Sequence, residues 1–300
     1  PQGIYDESPD HVAVIGLKLG FVGAWLLRSV GFEELVRWAS EQGFKAIELP
    51  SLRPETHRVC AEYGVEVCAV GGGANVLVPD QARREEAVST VKRTIEAAAG
   101  EGIGRVMMTH RRAEGLSLEE NLKLFQEAFT PLAEHGEEHG VKVLMENWPA
   151  DGMNLAFTPE LWRRLFELVP SGSLGLCMDP SHLVWLGIDY LWATREFSDR
   201  IFYAHAKDTE ILEDGLNEYG IYGRAIGGGR GPGAGWWRYR LPGYGEVDWA
   251  AFLDALYELG YDYVISIEHE DRVWGSNTDP DRGKRGLLLA KKYLEPFIVQ

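Results

Sequence analysis

The sequence predicts an α/β protein whose single domain, residues 1–300, is a (β/α)8 barrel of the TIM type. Eight apolar, strand-like runs recur along the 300 residues, and helical patterns lie between them. Strands that alternate with helices pair in parallel, and eight such units usually close into a barrel. An open doubly wound sheet is the structural alternative. No GxGxxG motif follows the first strand, however, and Gly71–Gly73 lacks that spacing.

The strands are predicted from short apolar runs that glycine, proline or a polar residue interrupts. Proline ends the second run at Pro50 and follows the fifth at Pro149, because it cannot donate a hydrogen bond inside a sheet. The predicted strands are Val12–Leu19, Ala46–Leu49, Val65–Val70, Arg105–Thr109, Val141–Glu146, Leu174–Met178, Ile201–Ala204 and Tyr263–Ile267.

The helices are predicted from their end signals and from their length. Asp80 is a suitable N-cap, Thr158 is a cap followed by proline in the first turn, and Gly43 and Gly64 are suitable helix ends. The predicted helices are Phe32–Gln42, Pro54–Tyr63, Asp80–Ala99, Leu118–His139, Thr158–Leu168, Leu183–Phe197, Trp249–Leu259 and Pro280–Leu294.

Composition narrows the classes of partner and compartment. The formal net charge of −16 repels polyphosphate backbones, so we expect no nucleic-acid partner. The three cysteines form no CxxC pair, which favours buried thiols in a reducing, cytoplasmic compartment. No apolar run approaches the ~20 residues that span a bilayer, and the acidic N-terminus does not resemble a signal peptide, so we expect no membrane partner.

The last four predicted strands each end in, or lead directly into, a residue that binds divalent metals. These residues are Glu146, Asp179, His205 and Glu268. The carboxyl ends of all barrel strands face the same mouth, so we expect the four side chains to converge there. Three carboxylates and one imidazole suit one divalent ion, with Mn²⁺ our first choice and Mg²⁺, Co²⁺, Zn²⁺ or Fe²⁺ as alternatives.

The same motifs resemble a known family. Glu146-Asn147, Asp179-Pro180-Ser181-His182, His205-Ala206-Lys207-Asp208, residues 245–249 and residues 267–271 are similar to motifs of the xylose isomerase-like TIM barrel superfamily. Within it, the chain looks most like the sugar phosphate isomerase/epimerase family, which includes the ketose 3-epimerases. The resemblance covers nearly the whole chain and is most specific from Val141 to Asp271.

The resemblance implies roles for individual residues. Glu146 and Glu268 match two catalytic glutamates that bind the metal and exchange a proton with the substrate from opposite faces. Asp179 and His205 match the other two ligands. His182 matches a substrate-contacting histidine of the epimerases. In the endonuclease IV branch, the matching histidine binds a further metal, and that alternative stays open.

The implied chemistry is removal of a proton beside a carbonyl group, which gives an enediolate. A divalent ion acts as a Lewis acid in such a reaction, and a carboxylate within hydrogen-bond reach takes the proton. Return of the proton to the other face inverts the carbon, whereas return to the neighbouring carbon isomerises the sugar. Lys207 is predicted to bind substrate, the alternative being an ion pair with Asp208.

The alternation of strands and helices breaks after the seventh strand. Residues 209–244 are long, glycine-rich and aromatic, and we predict an inserted loop that acts as a lid. Trp237 and Arg238 are its predicted substrate-binding residues, because flat rings stack on sugars and guanidinium groups pair with hydroxyls. The alternative is a packing or interface element.

The sequence thus predicts a metal-dependent isomerase or epimerase acting on a sugar, a keto-sugar or a glycoside. A lyase on a keto-glycoside, an endonuclease IV-like nuclease and a non-catalytic sugar-binding barrel remain alternatives. The resemblance also implies a homo-oligomer, either a dimer or a tetramer.

Overall fold

The computed structural model describes residues 16–224, 234–275 and 279–298. The strands of this part are β1 Lys18–Val22, β2 Ala46–Leu49, β3 Glu66–Asn75, β4 Arg105–Thr109, β5 Lys142–Glu146, β6 Leu174–Met178, β7 Ile201–Ala206, β8 Asp208–Ile211, β9 Trp237–Arg240 and β10 Val264–Ile267. Eight of them pair in parallel and close a barrel in the order β1-β10-β7-β6-β5-β4-β3-β2. The predicted (β/α)8 barrel is confirmed.

Helices lie between the barrel strands and cover the barrel. They are α1 Phe32–Glu41, α2 Thr56–Tyr63, α3 Gln81–Gly100, α4 Leu118–His139, α5 Pro159–Leu168, α6 Pro180–Leu186, α7 Tyr190–Glu196, α8 Glu213–Tyr219, α9 Trp249–Glu258 and α10 Pro280–Leu294. Among the described residues, no helix is both long and apolar enough to cross a membrane.

Helix α4 shows how local signals set the bounds of an element. The Ser117 hydroxyl accepts a hydrogen bond from the Glu120 amide at 3.2 Å, and the Glu120 carboxylate accepts one from the Ser117 amide at 2.8 Å. This reciprocal cap satisfies two amides that the first turn leaves unpaired. The helix continues through Pro131 and ends at Gly140, whose φ of 67° is left-handed.

Two barrel strands differ from their predicted bounds because glycine was read as a turn signal. The first strand begins at Lys18 and continues past Gly20, whereas residues 12–15 of the predicted Val12–Leu19 lie outside the described part. The third strand runs through Gly71–Gly73 to Asn75. A Cβ on Gly20 would lie 2.9 Å from the Ala46 carbonyl, so these glycines permit close backbone approach within strands.

The predicted helix Leu183–Phe197 is two helices. Gly187, with φ of 70°, ends α6, and the Asp189 side chain caps α7 by accepting from the Leu191 and Trp192 amides. A left-handed glycine stops a helix without the strain that a Cβ would bring.

The insertion after β7 contains more regular structure than a loop. Strands β8 and β9 pair antiparallel, with Thr209 opposite Tyr239 and Ile211 opposite Trp237, and helix α8 lies between them in the chain. The predicted lid, residues 209–244, therefore begins and ends in a two-stranded sheet, and residues 225–233 lie outside the described part.

The base of the insertion is fixed by one buried carboxylate. Asp208 accepts hydrogen bonds from the amides of Thr209, Gly243 and Val247 and from the Trp249 indole, at 2.8 to 3.0 Å. Four donors on one buried acid hold both ends of the insertion against the barrel. The register of β8 and β9 relative to the barrel mouth follows from this anchor.

Candidate metal and substrate site

The four predicted metal ligands meet at the barrel mouth. Glu146, Asp179, His205 and Glu268 each offer one ligand atom, and these four atoms lie within 4.8 Å of one another. Glu146, Asp179 and His205 each come two positions after a buried residue of the barrel interior. Those interior residues are Leu144, Cys177 and Tyr203, respectively. Side chains alternate across a strand, so this spacing keeps each ligand on the interior face.

The turn after β6 directs the Asp179 carboxylate. Asp179 caps α6, where its Oδ1 accepts from the Ser181 amide at 2.9 Å. The Asn147 side chain accepts from the Asp179 amide at 2.7 Å and donates to its carbonyl at 2.8 Å. The other carboxylate oxygen, Oδ2, is buried and accepts no hydrogen bond from the described residues. This oxygen is directed into the cluster.

Glu48 fixes the orientation of the His205 ring. The His205 Nε2 lies 2.9 Å from Glu48 Oε2, and because a carboxylate accepts, this nitrogen donates. The His205 Nδ1 then faces Glu146 Oε1 at 3.2 Å and Glu268 Oε2 at 3.4 Å. Hydrogen bonding at one ring nitrogen leaves the other as the ligand atom.

Glu48 was not among the site residues predicted from the sequence. The signal was its position two residues after Ala46, which lies in the barrel interior. Ala46 and Glu48 share one face of the run Ala46–Leu49, and Ile47 and Leu49 share the other. A barrel strand is covered on both faces, so alternation alone did not show which face is interior.

Lys207 lies at the centre of the acidic cluster. Its ammonium is 2.5 Å from Glu268, 3.1 Å from Asp179, 3.2 Å from Glu270 and 3.9 Å from Glu146. The alternative of an ion pair with Asp208 is wrong, because Lys207 contacts these four carboxylates, and the Asp208 carboxylate accepts from the donors at the base of the insertion.

The charges of the cluster stabilise one another. Burial raises the pKa of Glu146, but the Lys207 ammonium and the neighbouring imidazoles lower it by more than burial raises it. The pKa of Glu146 therefore lies well below its ordinary value. Burial likewise raises the pKa of Glu268 and Lys207 lowers it, and the net effect is a lowered pKa. Burial lowers the pKa of Lys207, yet Asp179, Glu268 and Glu270 raise it well above its ordinary value. Both glutamates are therefore ionised and the lysine protonated at neutral pH.

His182 lies between the acidic cluster and the insertion. Its Nε2 is 3.3 Å from Glu146 Oε1 and 3.5 Å from Asp179 Oδ2. Its Nδ1 lies 3.0 Å from the Tyr239 hydroxyl on β9. The insertion thus supplies a tyrosine that holds this histidine, a contact that the sequence analysis did not predict.

The two predicted substrate-binding residues of the insertion differ in their exposure. Trp237 is 1% exposed, and its ring is stacked on Trp185 with centroids 4.4 Å apart. Arg238 is part-exposed and pairs with Glu210 at 2.6 Å. Both residues line a cavity of about 510 Å³, together with Trp25, Trp148, Tyr239 and Glu270. One face of the Trp237 indole is occupied by Trp185, and contact of these two residues with substrate stays a prediction.

Three other histidines, His57, His110 and His269, lie outside the cluster. His110 donates from Nε2 to the Glu146 carbonyl at 2.9 Å and accepts from two backbone amides at Nδ1. Burial lowers its pKa to about 4, so the ring is neutral. His57 is exposed on α2 beside Glu101, and His269 accepts from the Asp271 amide.

The donor set fits a divalent cation. Hard carboxylate oxygens and one imidazole suit Mn²⁺, Mg²⁺ or Zn²⁺. Asp179 Oδ2 is buried, accepts no hydrogen bond from the described residues and lies 3.1 Å from the Lys207 ammonium, so it already faces a positive charge whose place a metal ion would take. Metal binding by these four residues stays a prediction that this geometry favours.

Comparison with known proteins identifies the class. The xylose isomerase-like TIM barrel family matches residues 36–293, and the chain belongs to this family. The chain is 26% identical over 326 residues to the uncharacterized protein YfiH of Bacillus subtilis (strain 168), covering 92% of this chain and 98% of the relative.

Two further comparisons concern proteins with named activities. The chain is 26% identical over 168 residues to inosose dehydratase of Lacticaseibacillus casei, covering 55% of this chain and 50% of that protein. Its fold is similar to that of 3-keto-D-glucoside 4-epimerase, YcjR, from E. coli, with a TM-score of 0.68 and 17% identity over 92% of this chain and 99% of that one. At that identity, the structural likeness concerns the fold alone.

We predict that Glu48→Leu weakens Mn²⁺ binding about 10–100-fold, because the His205 ring loses the partner that presents its Nδ1 to the cluster. Glu48→Gln keeps an oxygen that accepts from Nε2 and is expected to bind Mn²⁺ more tightly than Glu48→Leu. Isothermal titration of the metal-free protein measures both affinities. Equal affinity for wild type and Glu48→Leu would contradict the orientation of His205.

Proposed function

We propose that this protein is a divalent-metal-dependent isomerase or epimerase of a sugar or keto-sugar that removes a proton beside a carbonyl group. The observation that carries the proposal is the pair of ionised glutamates, Glu146 and Glu268, within 4.8 Å of Asp179 and His205. Strands β6 and β7 separate their strands in the barrel, so the two carboxylates enter the site from different sectors.

Four residues would hold the metal: Glu146, Asp179, His205 and Glu268. The ion supplies Lewis acidity, which stabilises negative charge that develops on a substrate oxygen. We propose Mn²⁺ as the ion, because oxygen donors predominate in the set.

The two glutamates are proposed to move the proton. A lowered pKa keeps each carboxylate ionised, so either can accept a proton from a carbon within hydrogen-bond reach. If the opposite glutamate returns the proton, the configuration at that carbon inverts. If the same glutamate returns it to the neighbouring carbon, the carbonyl group moves and the sugar isomerises.

His182 and Lys207 are proposed to orient the substrate oxygens. Both side chains lie beside Glu146, and Lys207 adds a fixed positive charge where an enediolate would carry negative charge. The Tyr239 hydroxyl holds Nδ1 of His182, which directs its Nε2 towards the cluster.

The cavity beside the cluster supports a sugar or glycoside as the substrate class. Its volume of about 510 Å³ is within the range of small-molecule sites, and Trp25 and Trp148 contribute indole surface to its wall. Aromatic faces next to guanidinium and carboxylate groups suit a polyhydroxylated ring. The named activities of two similar proteins, an epimerase of a keto-glucoside and a dehydratase, support carbohydrate-type chemistry as well.

One observation favours a lyase as the second candidate. Glu270 lies 3.2 Å from Lys207, lines the cavity and has a pKa that burial raises. A raised pKa favours the protonated form of a carboxyl group, which is the form that could protonate a leaving group after the α-proton is removed. Cleavage of a keto-glycoside would then release an aglycone.

The cellular context is part of the same proposal. We propose a cytoplasmic homo-oligomer without a nucleic-acid or membrane partner, in keeping with the net charge of −16 and the three buried, unpaired cysteines. His110 and His57 do not extend the cluster to the additional ligands that an endonuclease IV-like site requires.

Proton exchange in D₂O tests the proposed function. We predict that Mn²⁺-loaded protein incorporates deuterium beside the carbonyl group of a substrate among ketohexoses, ketopentoses and 3-keto-glycosides, as NMR detects. Glu146→Gln or Glu268→Gln should slow this exchange at least about 10²-fold, because a general base is lost. Metal content measured on each variant separates loss of the base from loss of the ion.

The control for this experiment is Glu114→Gln, which changes an exposed carboxyl group outside the site. It should exchange at the wild-type rate. Release of an aglycone in the same spectra would favour the lyase. Absence of exchange across the whole panel with metal-loaded protein would contradict the proposed reaction on these substrates.

A further prediction concerns Tyr239. Tyr239→Phe removes the hydroxyl that holds His182 but keeps the ring, so we expect kcat to fall about tenfold with little change in Mn²⁺ affinity. Steady-state kinetics on the substrate found by exchange measures kcat and KM, and titration measures the metal. A parallel loss of metal affinity would show instead that Tyr239 supports the whole cluster.

A further inference from the structure

A second group of metal-binding side chains lies on the outer layer of the barrel. Glu96 on α3 and His135 and His139 on α4 each offer one ligand atom, and these atoms lie within 4.8 Å of one another. The two histidines are four residues apart, which places them on one face of the helix with ring centroids 4.3 Å apart. None of these residues belongs to the site at the barrel mouth.

The tautomer of His139 is fixed by the backbone. Its Nδ1 lies 2.9 Å from the carbonyl oxygen of His135. A carbonyl oxygen accepts, so Nδ1 carries the proton and Nε2 has the free electron pair of a neutral imidazole. A backbone carbonyl at one nitrogen is the usual outer contact of a histidine that binds metal through the other.

His135 is already paired with the third candidate ligand. Its Nε2 lies 3.1 Å from Glu96 Oε1, and its Nδ1 lies 3.4 Å from Glu138 Oε2. The side chain is only 13% exposed, so its ring is held between the two helices. A carboxylate beside the second nitrogen matches the carboxylate–histidine arrangement of metal sites.

We propose that Glu96, His135 and His139 form a Zn²⁺ site that links α3 to α4. Zn²⁺ binds imidazole nitrogen and carboxylate oxygen at about 2.0–2.2 Å in tetrahedral geometry, which sets neighbouring ligand atoms roughly 3.4 Å apart. The Glu96–His135 pair is close to this spacing. His139 offers the third ligand atom within 4.8 Å of the other two, and water would complete the shell. The ion replaces the proton shared by Glu96 and His135.

The site joins two of the longest helices of the described chain, so we infer that its role is structural. Ions that bind the folded state but not the unfolded chain raise the unfolding temperature. The inference is independent of the proposed reaction at the barrel mouth, because the three residues lie on the outer helices.

Zinc titration of the full chain tests the site. In an Asp179→Asn background, which weakens the mouth cluster, we expect one Zn²⁺ per chain by isothermal titration. Addition of His139→Ala should weaken this binding at least tenfold and abolish the rise in unfolding temperature with Zn²⁺. His57→Ala, which removes an exposed imidazole on α2, is the matched control and should leave both unchanged. Glu268→Gln serves as the background if Asp179→Asn does not fold.

Three results would overturn the proposal. One is absence of Zn²⁺ binding in the chosen background. Another is binding that His139→Ala and His135→Ala leave unchanged. The third is equal loss of binding in His57→Ala. Proton exchange at the barrel mouth should be the same in His139→Ala as in wild type, so failure of the zinc site and failure of the proposed function are distinguishable.

Discussion

The structure depends on the neutralisation of acidic groups at the barrel mouth. Glu146, Asp179 and Glu268 lie within a few ångströms of one another, with Glu48 and Glu270 beside them. At an effective dielectric constant near 20, two like charges about 5 Å apart repel by roughly 3 kcal/mol. Such a group is stable only with positive charge at its centre. Lys207 supplies one charge, and a divalent cation would supply two.

This constraint relates the metal to the lysine. The Lys207 ammonium contacts the same carboxylate oxygens that would bind the ion, so binding of the ion requires the lysine to move towards Glu270 or into the cavity. In the proposed reaction, a lysine displaced in this way would lie beside the substrate. The cluster would then position two electrophilic groups, the ion and the lysine, next to His182, which the insertion holds through the Tyr239 hydroxyl.

Much of this arrangement was predictable because it follows from single strands. A buried run that ends in an acid or histidine places that residue at the mouth, and Glu146, Asp179, His205 and Glu268 converge as this rule expects. The rule concerns one strand at a time and needs no knowledge of distant contacts.

The other contacts depend on long-range packing that the sequence pattern does not contain. Tyr239 meets His182 only because β8 and β9 pair in one register and Asp208 anchors that pair. Trp237 stacks on Trp185, which lies 52 positions earlier in the chain. Its indole therefore offers less surface to a substrate than the aromatic sequence of the insertion indicated. Gly187 is different, because a glycine at this position is a local signal for the end of a helix. The predicted helix Leu183–Phe197 did not take it into account.

Anomalous diffraction from crystals grown with Mn²⁺ tests the central claim most directly, because it locates the ion without reference to a substrate. The account predicts one strong peak at the barrel mouth, about 2.0–2.3 Å from oxygens of Glu146, Asp179 and Glu268 and from Nδ1 of His205, with Lys207 displaced from the centre of the cluster. A mouth without a peak, in which the Lys207 ammonium remains among the carboxylates of Mn²⁺-saturated protein, would contradict it.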